Sequence, residues 1–139
     1  MATFATESDV RLKFQLNDAV LVTSDVIELS IGDAHQELLR FLDEAYAVGE
    51  PPYALVLGET LLAGTHLFRS LAAKEAFEQK HVRVGGQQLQ EGARFASLNA
   101  VAALTEDEAW RVLAPYLAAF PPRSVAAVTA STPVLGTEE

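Results

Sequence analysis

The sequence predicts an α+β fold, a mainly antiparallel sheet of about four to six strands with about three helices packed on one side. Three observations carry that expectation. Val10, Leu12, Phe14 and Leu16 alternate with Arg11, Lys13 and Gln15, a period of two that reads as a strand with one wet face. Glycines at 32, 49, 58, 64, 85 and 86 cut the following chain into short apolar pieces. Between them, apolar residues recur at helical spacing near residues 33–48, 66–79 and 105–120.

Taken in order, Asn17 and Asp18 are a turn signal after the first strand, and Ala19 to Ile31 reads as one interrupted strand or two short ones, ended by Gly32. Asp33 is then placed to cap a helix carrying Leu38, Leu39, Phe41, Leu42, Ala45 and Tyr46, which Gly49 stops. Glu50, Pro51 and Pro52 force an extended exit. Tyr53 to Leu57 and Thr60 to Ala63 form a hairpin about Gly58 and Glu59. Gly64 and Thr65 open a second helix with Leu67, Phe68, Leu71, Ala72, Ala76 and Phe77 inside.

His81 to Val84 and Gln87 to Gln90 read as strands about a tight turn at Gly85 and Gly86, with a further strand near Ala93 to Val101, although this stretch is equally compatible with a helix from Ser97. Thr105 to Glu108 is a capping box ahead of Ala109, Trp110, Val112, Leu113, Tyr116, Leu117 and Phe120, the strongest helix signature in the chain. Pro115 removes a helical hydrogen bond and clashes with the carbonyl of Arg111, so a kink or break is expected there. The expected domain is 1–122. Residues 123–139, rich in Ala, Val, Ser, Thr and Pro, read as a C-terminal tail, flexible or docked as an edge strand.

Composition bounds what the domain does. At 139 residues the chain is the size of one domain with its own core. There is no cysteine, which removes disulfides, thiolate nucleophiles and Cys-containing zinc sites. The formal charge is −9, and the ten basic residues include no cluster of three, so neither nucleic acid nor an anionic membrane surface is an expected partner. The first ten residues carry no Lys or Arg and no apolar run, and no later run approaches a membrane span, so the expected address is a bacterial-type cytoplasm.

Motifs of known chemistry are missing. The glycine-rich stretch Gly58 to Gly64 lacks the lysine of a phosphate loop, and Gly85 and Gly86 lack the dinucleotide pattern. No serine sits in a strand-to-helix elbow. His35, His66 and His81 show no metal-ligand spacing, and Asp33 beside His35 is better used as a cap, so neither metal nor cofactor is expected. Asn99 reads as a side chain fixing a turn, and Trp110 and Tyr116 as core.

Two functions fit. The first is a non-enzymatic soluble domain acting through self-association, as a homodimer, or by binding a protein partner. The second is a small-molecule protein or enzyme taking an anionic ligand at Glu59, Thr65, His66 and Arg69, with His66 as proton carrier and the helix start at Thr65, or Arg69, holding the anion.

Overall fold

The computed structural model describes residues 2–79 and 85–122, with the backbone alone at 78–79 and 85–93. Four α-helices are built there: α1 (Glu7–Phe14), α2 (Ser24–Leu39), α3 (Tyr53–Gln79) and α4 (Gly85–Leu113). No sheet is present among the described residues. The one β feature is an isolated antiparallel bridge between Leu42 and Leu117. The α+β expectation is therefore corrected to a helical fold, and the reasons lie in particular residues.

α1 starts at a capping box. Thr6 Oγ1 accepts from the Asp9 N–H, and the Asp9 carboxylate accepts from the Thr6 N–H at 2.9 Å. The helix buries Val10 and, in part, Phe14, which are four apart, and leaves Leu12 71% exposed. Positions four apart satisfy a period of two as well as a helical turn, which is why this stretch reads as a strand. Gln15 ends the helix in the left-handed region, at φ 59°, with its N–H on Arg11 O.

α2 starts at Thr23, whose Oγ1 accepts from the Val26 N–H. Ile27, Ile31, Ala34 and Leu38 recur on its buried face, while its Val and Ile residues bias the segment toward a strand reading. Gly32 and Asp33, expected to end a strand and cap a helix, lie within this helix, which ends at Leu39 rather than near 48. A 3-10 turn at Glu44–Tyr46 follows. The Glu7 carboxylate accepts from Ser24 Oγ at 2.6 Å and from Arg11 Nε at 2.8 Å, joining α1 to the start of α2. The Ser24 hydroxyl, and then Arg11, hold its pKa below the ordinary glutamate value.

α3 begins directly after Pro51 and Pro52, where a proline-fixed φ favours a helix start. It is the central helix. Every residue from Gly58 to Thr65 is buried, more than two turns with no wet face, since α1, α2 and α4 surround it. A helix buried all round has no visible period, and the two strands expected from Tyr53 to Ala63 are both part of it. Its glycines are packing positions, not turns. A Cβ on Gly58 would stand 2.3 Å from Leu113 Cδ2, and one on Gly64 would stand 2.3 Å from Phe14 Cζ. The expected helix start at Thr65 is likewise overturned, because Thr65 is mid-helix and its Oγ1 donates to Leu61 O at 3.0 Å.

α4 runs antiparallel beside α3, its end at Leu113 reaching Gly58 in the first half of α3. Residues 87–90 and 93–101, expected as strands, are helical; the strand expected at 81–84 and the tail expected at 123–139 lie outside the described residues. The capping signature at Thr105 does not start a helix, since Thr105 Oγ1 donates to Val101 O at 2.7 Å within α4. Asn99 also bonds inside the helix, its Nδ2 donating to Phe95 O. The break at Pro115 is present: α4 ends at Leu113 and a 3-10 turn covers Ala114–Tyr116. That turn returns to the end of α2, with the Asp43 N–H on Tyr116 O at 3.0 Å and the Ala118 N–H on Phe41 O at 2.8 Å. Phe41 meets the buried Trp110 edge to face, and Tyr46 meets Tyr116 likewise.

Candidate functional site

The most unusual group in the interior is a carboxylate on the central helix. Glu59 falls four residues after Leu55 and three before Leu62, all with no more than 1% of their surface exposed. Facing it, His35 follows Ile31 by four residues on the apolar stripe of α2 and is 4% exposed. His35 Nδ1 and Glu59 Oε1 are 2.6 Å apart, and Glu59 Oε2 accepts from the Ala5 N–H at 2.9 Å. Both carboxylate oxygens are thus used. Burying an ionisable group without partners costs several kcal/mol, about 3–5 for a broken pair, so the three groups stand or fall together.

The arrangement fixes the N-terminal segment to the body. Ala5 is buried, Thr3 Oγ1 donates to Ala5 O at 2.7 Å, and the Phe4 ring meets His35 edge to face at 5.0 Å. Beside them lies an open cleft of about 380 Å³, lined by His35 with Thr3, Glu28, Ile31, Gly32 and Asp33 among its walls. None of the four expected site residues lines it.

Those four are not brought onto one ligand position. Glu59 is engaged with His35 and Ala5, and Thr65 with its own helix. His66 Nε2 lies 2.9 Å from Glu37 Oε1 on α2. Arg69 Nη2 donates to Glu106 Oε1 on α4 at 2.9 Å, and His66 itself lies within α3. The hydrogen bond to Glu37 raises the His66 pKa above the ordinary histidine value against partial desolvation; the charges of Glu37 and Asp33 add to the rise and Arg69 opposes it.

His35, Glu37 and Glu106 are the partners that the sequence reading missed. His35 had a signal, since it stands on the stripe formed by Ile27, Ile31 and Leu38, but the pairing with a residue 24 positions away has none. Among the described residues, no group of three or more His, Asp or Glu is placed to hold a metal ion. Nor is any described helix long and apolar enough to cross a membrane.

Fold and site together define a helical domain arranged about one central helix, with a buried Glu59 and His35 turned toward one another. No family model, curated protein or solved structure matches this chain.

Proposed function

We propose that the chain is a non-enzymatic helical domain of the cytoplasm that acts by self-association. The observation that carries this reading is the contrast between its interior and its surface. Inside, Glu59, His35, Thr60 and Thr65 are hydrogen-bonded within the fold. Outside, Val20, Tyr53, Leu12 and Leu104 are between 71% and 90% exposed. Large apolar groups held in water favour burial by about 25 cal/mol per Å², and association is the available route.

The charge supports a protein surface as partner rather than a polyanion. The net charge is −9, and among the described residues Arg11, Arg69, Arg94 and Arg111 each pair with a carboxylate. The competing small-molecule reading needs Glu59, His66 and Arg69 around one ligand, and their side chains are engaged with three different partners.

Size-exclusion chromatography with light scattering tests the reading. A mass that rises with concentration above the 15.0 kDa of one chain is the expected result. One constant monomer mass at every concentration rejects it.

A further inference from the structure

We propose that the cleft beside His35 binds a primary alkylammonium ion, whose N–H groups donate to His35 Nε2 and to the carboxylates of Glu28 and Asp33. The site goes beyond the self-association reading and does not depend on it.

The cleft is built on one helix and bounded by the N-terminal segment. Glu28, Gly32 and His35 are spaced by four and then three residues, so they share one face of α2. Gly32 has nothing within 4 Å of the place a Cβ would take, and its missing side chain leaves the floor open. Thr3 stands across that floor, in the segment that Glu59 anchors through the Ala5 N–H. The volume of about 380 Å³ admits a short aliphatic chain with its head group.

His35 itself points to a ligand. Its side chain is only 5% exposed. Nδ1 lies 2.6 Å from Glu59 Oε1, and Nε2, on the opposite edge of the ring, has no hydrogen bond among the described residues. Glu59 is fully enclosed on the Nδ1 side and the residue lines the cleft, so Nε2 is the atom that the ring presents there. A buried polar atom without a partner is uncommon in a folded protein, and at a cavity wall it marks where a ligand completes the hydrogen bonding.

The chemistry of the walls selects the ligand. In the proposed site the Glu59 carboxylate accepts on both oxygens, from the Ala5 N–H at Oε2 and from the His35 Nδ1–H at Oε1. A ring that donates from Nδ1 keeps a lone pair on Nε2 and offers the cleft an acceptor. Thr3 Oγ1 spends its proton on Ala5 O at 2.7 Å, so it too faces a ligand with lone pairs. Glu28 and Asp33 are exposed carboxylates without an ion pair among the described residues, and no Lys or Arg lines the cleft. Apart from Gln36, whose amide carries both donors and an acceptor, the polar walls only accept.

Acceptors of net negative charge favour a cation rich in donors. A metal ion is not that cation, since among the described residues no three His, Asp or Glu are placed to hold one. A primary ammonium group brings three N–H donors and needs no coordination sphere, and its alkyl chain can lie over Ile31 and Gly32.

Proton–nitrogen correlation spectra of the imidazole rings read the contact directly, with His35 assigned by elimination in His66→Gln and His81→Gln variants. Titrating the full chain with butylammonium chloride in neutral solution is expected to move His35 Nε2 to a saturating limit. Tetramethylammonium, of equal charge but with no N–H, is expected to leave it in place. Equal movement with both cations reduces the cleft to an acidic surface and overturns the proposal; movement with inorganic phosphate instead puts a proton on Nε2 and overturns it as well. Gly32→Met, with an unchanged circular dichroism spectrum, fills the floor and is expected to weaken butylammonium binding about tenfold or more. Undiminished binding by that variant removes the cleft as the site. Absence of any butylammonium response at His35 ends the proposal, whatever the oligomeric state of the chain.

Discussion

Glu59 is the residue on which the interior turns. Glu59→Leu leaves the Ala5 N–H and His35 Nδ1 without their acceptor, and a loss of about 3–5 kcal/mol is expected in urea unfolding. Glu59→Gln keeps one acceptor and one donor, so its cost is about 1–2 kcal/mol. Adding His35→Leu to Glu59→Leu should restore part of the loss, since the stranded imidazole goes with its partner. Strict additivity of the two single changes would show that the pair is not coupled. His66 supplies a pH signature of opposite character to that of a paired carboxylate. Its folded pKa is raised by Glu37, so its contribution is complete below the unfolded value of about 6.5 and is lost as the pH climbs through the raised folded value. The pair is about a third exposed, which limits the effect to at most about 1 kcal/mol. His66→Gln should remove this part of the pH dependence of stability as the pH rises above about 6.5; an unchanged profile would assign the slope elsewhere.

Glycine within helices gives a test at the level of elements, because equivalent substitutions should act with opposite sign. Gly32 in α2 has nothing within 4 Å of where a Cβ would lie, so Gly32→Ala should gain about 0.5–1 kcal/mol from helix propensity alone. Gly58 is pressed against the buried Leu113 side chain, so Gly58→Ala must displace that side chain and should cost about 1–3 kcal/mol despite the same propensity gain. Melting temperatures of the two variants that move in the same direction would contradict the packing of α3 against α4. The same glycines explain why the elements were only partly legible. In sequence, a glycine that ends a strand and a glycine that admits a neighbouring helix look alike, and the choice made for Gly58 and Gly64 divided one helix into a hairpin and a cap. Val10 to Leu16 failed for a different reason, since Val10 and Phe14 fit either period. The apolar stretch from Leu67 to Ala72 and the break at Pro115 were legible because a single physical cause acts there. Candidate site residues were legible only as types: Glu59 and His66 were noticed, but the partners that decide their chemistry come from α2 and are distant in the sequence.

At the scale of the molecule, α3 is enclosed along its first half by α1, α2 and α4, and the buried Glu59 joins it to α2 through His35 and to the N-terminal segment through Ala5. The self-association proposed above draws on the outside, where the apolar side chains of Leu12, Val20, Leu21 and Tyr53 are exposed. The net charge of −9 opposes contact between copies, so a pairing surface has to be apolar and locally complementary to overcome it. Sedimentation equilibrium of the unmodified chain over a dilution series tests this most directly. A reversible shift between the 15.0 kDa chain and a species of twice its mass is the outcome expected here. A lone 15.0 kDa species throughout the series would contradict it.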